Sequence, residues 1–474
     1  MKPVAVLGAG LAGLTAASDL KRRGVPVIVF EAGPAIGGMA TSFRDAEGFS
    51  YDYGAHFISN RLADALGGKT PCRTVRHYGE AVRLGGTFRK HPFGLLREPR
   101  FLRDAIVAKL TPKPIMTAED WFRATYGDAL AEEVAIPLAE AWSGSPASEL
   151  SAAIGEKFDA GILKSLYLTA AAKVTGRAVC NGYTREMPEG AGVYHVYPEG
   201  GLSQLLKPMT EDLAASIRLE TPVERIIVEN DRVVAVRARG ETIAVSAAIS
   251  TAPVNVLPRL LDGTDRLSHL AAFRYRPMIF VNLRFSGRAI LPDTMLWVPG
   301  REHVFFRLTE APISMPWLAP EGKTLITCDI GCELGNAYWT MPETELAALC
   351  LKGLAEIFPG IEDRSLGAGG VIRTPYSYPV YLAAYEAERL AFARTTGVDG
   401  LYSVGRNGEF AHILMEDVYW RTLRRMNDVA DYLGLAPPPA PRSKALYNWI
   451  SLADRSKARI TAAAPSDRLI GAAS

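Results

Sequence analysis

The chain has 474 residues, 48% hydrophobic and 22% charged, with a formal net charge of +2, which leaves room for two or three lobes around a large core and gives no bulk-charge signal for nucleic acid. No run reaches the roughly 18 apolar residues of a membrane span, and the opening apolar stretch, broken by glycines and running into Asp19, Lys21 and Arg22, is unlike a signal peptide. The five cysteines (Cys72, Cys180, Cys328, Cys332, Cys350) are an odd set for a disulfide scaffold and lack metal-site spacing, so they read as incidental thiols in a cytoplasmic protein with no metal.

Val4–Leu7 is a short apolar run of the kind found in buried parallel strands. Gly8-Ala9-Gly10-Leu11-Ala12-Gly13 follows, then a helix with Leu14, Ala17 and Leu20 at helical spacing, then a second apolar strand, Val27–Phe30, ending at Glu31. Each position has a physical reason. Gly8 permits the tight turn, Gly10 lets backbone approach a pyrophosphate, and Gly13 lets the helix pack on the strand. The helix N-terminus, at Leu11 and Ala12, offers unpaired N–H groups and its positive dipole end to phosphate. Glu31, about 20 residues on, is placed to accept from ribose hydroxyls, and no arginine follows it to receive a 2′-phosphate.

Gly37-Gly38-Met39-Ala40-Thr41 brings a second glycine pair, a further close backbone approach to an extended dinucleotide. Thr41–Phe43 and Phe49–Tyr51 flank a turn at Asp45–Gly48 and read as a hairpin, after which the chain runs Asp52-Tyr53-Gly54-Ala55-His56. With its GxGxxG, acid, glycine pair and terminal histidine, this opening resembles the flavoprotein superfamily of amine oxidases, protoporphyrinogen oxidases, phytoene desaturases and UDP-galactopyranose mutases. The resemblance implies non-covalent FAD and places Gly54, Ala55 and His56 beside the flavin. His56 then has a site role, donating to flavin or touching substrate; the alternative reading is a satisfied core histidine.

Between Arg83 and Lys113 lie Arg89, Lys90, Arg97, Arg100, Arg103 and Lys109 against only Glu98 and Asp104, interleaved with Phe88, Phe93, Leu95, Leu96, Phe101, Leu102, Ile106 and Val107. Three readings stand: the solvated face of an amphipathic helix, a peripheral contact with an anionic membrane, or a cradle for an anionic substrate. Thr117–Phe122, Tyr126-Gly127, Pro137 and Trp142-Ser143-Gly144 are similar to the helical segment of the protoporphyrinogen-oxidase-like members, and Tyr197–Gly201 to their loop returning to the FAD domain. Val223–Val228, Val233–Arg239 and Thr242–Val245 alternate as a three-stranded meander. The resemblance places backbone at Val223 against adenine.

The stretch Tyr275–Leu283 holds no counterpart of the lysine that amine oxidases proper carry near flavin N5, and Met39 stands where many members carry arginine. Tyr378-Pro379-Val380-Tyr381 and Gly405-Arg406-Asn407-Gly408 resemble the mutases and desaturase-like enzymes, but Phe410–Asp417 departs from the mutase pattern. Tyr378 and Tyr381 are candidate flavin-facing residues or core aromatics. The strand Leu401–Val404, the Gly405-Arg406 turn and the helix opening Met415-Glu416-Asp417-Val418 are implied to hold the phosphate and ribityl side and to cap the isoalloxazine ring. Glu416 is a candidate general base, though it and Asp417 also suit a helix's first turn; His412 lies beside this turn.

The expected fold is α/β. A Rossmann-like, glutathione-reductase-like FAD domain, doubly wound with a β-meander, is assembled from 1–70, 195–262 and 398–435. A mainly helical segment, 71–194, faces substrate or membrane; a mixed α+β substrate domain spans 263–397; a Pro-rich linker and tail, with a short helix at Leu446–Leu452, spans 436–474. The expected function is an FAD-dependent oxidoreductase, an oxidase or dehydrogenase taking hydride from a small molecule such as a sugar-nucleotide, amine or lipid-linked intermediate. The rivals are a redox-neutral mutase using reduced FAD and a non-catalytic escort protein of the same fold.

Overall fold

The computed structural model describes residues 1–68, 70–91, 94–157 and 162–435. The Pro-rich segment with its expected helix at Leu446–Leu452, and Phe93, lie outside the described residues.

Val4–Leu7 is buried at every position because it is the middle strand of a five-stranded parallel sheet. Its neighbours are Val27–Phe30 and Ala247–Ser250, and the edges are Ile217–Arg218 and Leu401–Ser403. The alternation of side chains assigns each face its cover. Val4 and Val6 join Leu14, Ala17 and Leu20 of the helix Leu11–Arg22 and Val418, Met426 and Val429 of the helix Met415–Tyr432. Ala5 and Leu7 join Ile226, Val228, Val233 and Val236 of the meander on the other side. Each such buried Val, Leu, Ile or Met side chain contributes roughly 1.5–3 kcal/mol. The meander strands are Val223–Glu229, Arg232–Ala238 and Glu241–Ala244, with Leu261–Asp262 added in parallel.

The second sheet has seven strands, ordered Ser365–Pro379, Tyr275–Ser286, Lys323–Gly331, Arg307–Thr309, Met295–Trp297, Glu80–Leu84 and Thr87–His91. The strand Tyr275–Ser286 is apolar on both sides for a reason. Ile279, Val281, Leu283 and Phe285 pack with Leu346, Cys350 and Leu354 of the helix Glu343–Ile357, while Met278 and Phe280 pack with Ala118, Phe122, Ala139 and Trp142 of the helical lobe. The segment expected to be mainly helical departs from that reading at its start. Glu80–Leu84 and Thr87–His91 form a hairpin that extends this sheet, and α-helix takes over only from Pro99. The cause is Gly85-Gly86, whose φ angles of +52° and +75° make the turn that suits right-twisted strands. Among the described residues no helix is long and apolar enough to cross a membrane.

Candidate active site

The two sheets and the helical lobe meet where the glycine turns of the parallel sheet converge. Gly8, at φ +102°, has no room for a side chain: a β-carbon there would lie 2.2 Å from Thr251 Oγ1. A β-carbon at Gly13 would lie 1.9 Å from Gly8 O, so the helix reaches this close to the strand only as glycine. Gly10 is different. A β-carbon there meets nothing nearer than Gly37 O at 3.7 Å and Gly38 Cα at 3.9 Å, and its φ of −79° is open to any residue. Gly10 and Gly37 form a parallel bridge, with Gly37 N–H donating to Ala9 O at 2.9 Å, which sets the second glycine pair beside the first turn. Thr41 Oγ1 donates to Gly38 O at 2.9 Å and closes that turn, with Met39 half-buried and Ala40 buried within it.

Gly10 caps the helix without a side-chain hydrogen bond, leaving the first N–H groups, from Leu11 and Ala12 on, for an anion. Glu31 orients the same turn: Oε2 accepts from Ala9 N–H at 2.7 Å and Oε1 from Gly33 N–H at 2.8 Å, so each oxygen keeps a further lone pair. The C-terminal turn arrives from nearly 400 positions away in sequence and packs directly on the first helix. A β-carbon on Gly405, at φ +84°, would lie 2.6 Å from Ala12 Cβ. Val223 begins the meander strand opposite Ala238.

Above these turns, Gly54 at φ +76° lets the chain cross the seven-stranded sheet, since a β-carbon there would lie 2.9 Å from the Phe280 ring and 3.4 Å from Arg307 Nη2. His56 follows Ala55, which is half-buried against the main core. Burial, then the positive charges of Arg406 and Arg307, push the His56 imidazole down to about 4, so it is neutral at physiological pH. Its Nδ1 is buried with no hydrogen-bond partner and lies 4.0 Å from Asp52 Oδ2, beyond hydrogen-bond reach. Asp52 itself accepts from Ser42 Oγ at 2.6 Å and Tyr197 OH at 3.0 Å, and burial pushes its carboxyl up to about 7.

The two guanidiniums near His56 have unequal partners. Arg307 is ion-paired to buried Asp329, Nε to Oδ2 at 2.8 Å, and stands over the Trp297 ring. Arg406 has no carboxylate partner among the described residues. It donates to Ser377 O at 3.2 and 3.0 Å and to Ile413 O at 2.9 Å, and its remaining N–H groups are uncommitted. Burial, opposed mainly by Tyr378, lowers the guanidinium's basicity. Tyr378 lies under Arg406 and forms an aromatic wall with Trp142 and His412, with ring centroids 4.9–5.5 Å apart.

The remaining candidates have other attachments. Tyr381 is buried with Phe410, and its hydroxyl accepts from His412 N–H at 2.8 Å. Glu416 is fully buried and accepts from Ser59 Oγ at 2.6 Å, Arg61 Nε at 2.5 Å and Trp420 Nε1 at 3.2 Å. Asp417 accepts from Thr184 Oγ1 at 2.5 Å and from the N–H groups of Arg185 and Glu186 at 3.0 and 3.2 Å. Glu416 ties the helix that opens at Met415 to the end of the strand Ile58–Ser59 and the start of the helix Asn60–Ala65, Asp417 ties it to the loop at 184–186, and Val418 continues it into the core. No side chain caps that helix, so its first N–H groups, like those of the N-terminal helix, have no side-chain partner. Asp52, Arg307 and Asp329 were not legible as site residues from sequence. Only the Asp52-Tyr53-Gly54 run, beside the histidine, carried a signal.

The chain is similar to known proteins. The model of the flavin-containing amine oxidoreductase family matches residues 11–419. The chain is similar to a reduced UDP-galactopyranose mutase structure (TM-score 0.73, 18% identity, covering 92% of this chain and 94% of that one). It is also similar to a putative protoporphyrinogen oxidase from Exiguobacterium sp. 255-15 (TM-score 0.68, 19% identity, 91% and 99%). At these identities the likeness is one of fold. A zeta-carotene desaturase from Zea mays is 37% identical over 90 residues, 18% of this chain and 16% of that protein, so the match spans a small part of the curated relative's length. With the family model running from the first turn of the N-terminal helix into the C-terminal helix beside it, the chain belongs to the flavin-containing amine oxidoreductase family.

Proposed function

We propose that the chain is an FAD-dependent oxidoreductase that takes a hydride equivalent from a small-molecule substrate carrying an anionic group. The observation that carries the proposal is the space at Gly10, which two glycine turns approach and no side chain fills, at the N-terminus of the helix Leu11–Arg22, whose first N–H groups have no side-chain cap. The residues that would hold FAD are Gly8, Gly10–Gly13, Glu31, Gly37–Thr41, Gly54–His56, Val223, Gly405, Arg406 and Met415–Val418. Non-covalent FAD supplies the hydride acceptor when bound.

The chain's own groups do the rest. Neutral His56 offers a hydrogen bond without a charge. Arg406, without a carboxylate of its own, supports the anionic character of the substrate, because a buried guanidinium gains most from a carboxylate or phosphate that takes its spare N–H groups. An amine cation would be repelled there. Trp142, Tyr378 and His412 form the apolar wall that keeps water out.

The test is anaerobic mixing of the oxidised holoprotein with a panel of sugar-nucleotides, lipid phosphates and amines. The expected result is loss of the oxidised flavin's visible absorbance with an anionic member and no added reductant. Isomerisation of a sugar-nucleotide only after dithionite treatment, with no bleaching by any member, would establish the mutase reading instead. A protein that binds no flavin would point to the escort.

A further inference from the structure

We propose that the helix Pro99–Leu110 and the segment after it dock the protein on an anionic lipid bilayer. The helix is inside-out by the standard of a surface helix, which turns its polar side to water. It holds the body through Phe101, which is fully buried, with Asp104, Ala105 and Ala108 half-buried on the same side. The side turned to solvent carries Leu102 (46% exposed), Ile106 (52%), Val107 (50%) and Leu110 (76%). Ile115 and Met116 extend the exposed apolar surface past the helix end.

The angular arrangement identifies the partner. At about 100° per residue, Leu102 and Leu110 fall within about 40° of Ile106, Arg103 and Lys109 lie about 60° from Ile106 on opposite sides, and Val107 falls beyond Arg103 at about 100°. Cations on long stems at both margins of an apolar stripe let the stripe enter the acyl boundary while the charges stay among headgroups. Arg97, Lys109 and Lys113, all exposed, have no carboxylate partner among the described residues. Asp104, on the inner side, accepts from Ala129 N–H and pairs with Arg103, so the unpaired charge at the stripe comes from Lys109, with Arg97 and Lys113 beyond the helix ends. The helix is about 18 Å long, too short to span a bilayer of about 30 Å hydrocarbon thickness, so it lies in the interfacial plane. A second copy of the chain is a poorer partner, since a two-fold contact through this stripe would oppose like cations.

The experiment is co-sedimentation of the full-length holoprotein with phosphatidylglycerol–phosphatidylcholine vesicles and with phosphatidylcholine vesicles alone. Three forms are compared: wild type, a Leu102→Ser/Ile106→Ser/Leu110→Ser variant, and a Lys109→Gln/Lys113→Gln variant. All five substituted side chains face solvent, and melting curves confirm that each form is folded. The wild type is expected to bind anionic vesicles at least tenfold more tightly than neutral ones and to be released by salt. The serine variant is expected to lose at least tenfold in affinity, and the glutamine variant to lose its preference for anionic lipid. Absence of wild-type binding, or binding unchanged in the serine variant, would overturn the proposal. So would a wild-type dimer that the serine variant dissociates, which would assign the stripe to a second copy.

Discussion

Gly10 and Gly13 belong to one glycine pattern, yet the structure assigns them different physical tasks, and substitution separates the two. At Gly13 a β-carbon would stand 1.9 Å from Gly8 O, a backbone atom that must move by well over an ångström to reach ordinary contact. Overpacking of this kind costs roughly 1–3 kcal/mol even where side chains can yield, out of a total stability of about 5–15 kcal/mol. At Gly10 the nearest atoms are 3.7 and 3.9 Å away and φ is −79°, so a β-carbon fits the protein at a cost of under about 1 kcal/mol. What a side chain at Gly10 would fill is the space proposed for the pyrophosphate. Gly10→Val is therefore expected to fold, to melt within a few degrees of wild-type apoprotein, and to hold no flavin. Gly13→Val is expected to melt far lower whether or not flavin is present. The apoprotein is the right reference, because bound cofactor adds stability by mass action. Melting curves by circular dichroism, with flavin released by acid and measured by fluorescence, give both readouts. Flavin retained by Gly10→Val, or equal destabilisation of the two variants, would refute the reasoning.

Further outcomes follow from the buried titratable groups. The Asp52 carboxyl titrates at about 7 folded against 3.8 ordinarily, so its contribution to stability is complete below about pH 4 and is lost as pH rises through 7. Asp52→Asn should therefore gain on wild type by up to a few kcal/mol between pH 5 and 8 in denaturant titrations; a difference independent of pH would contradict the assignment. His56 and His195 titrate at about 4 folded against 6.5, so their contribution is complete above pH 6.5 and is lost as pH falls through 4, and His195→Gln should flatten the acid limb of the stability profile. Glu416→Gln should cost on the order of 3 kcal/mol by breaking the buried pair with Arg61, while leaving the turnover rate per bound flavin within about threefold of wild type; a loss of turnover in a protein of unchanged stability would make Glu416 the general base. Arg406→Gln should raise KM for an anionic substrate at least tenfold more than for a neutral analogue, and equal effects on both would show that the guanidinium does not meet the substrate's charge.

What could be read from sequence was what depends on backbone geometry at fixed spacing. Gly8, Gly13 and Gly405 are glycines because a neighbour lies where a β-carbon would be, and such constraints leave a mark in the chain. Gly85-Gly86 left one too, between runs that alternate, and the hairpin it makes was legible by the rule that served for Asp45–Gly48. Charge neighbourhoods are harder, because partners far apart in sequence set them. Arg307 stands on a three-residue strand, and its pairing with Asp329 follows from the register of two antiparallel strands. Asp52 reads as one more hairpin acid until Tyr197, 145 positions away, closes over it. Glu416 shows the converse: two roles fitted a helix's first turn, and the structure surrounds its carboxylate with three donors.

The most direct test of the account is the cofactor content of the purified chain. The purified chain is expected to be yellow with one FAD per chain, and acid precipitation to leave a colourless pellet and free FAD in the supernatant. A colourless wild-type protein that neither takes up FAD nor gains thermal stability from it would contradict the account.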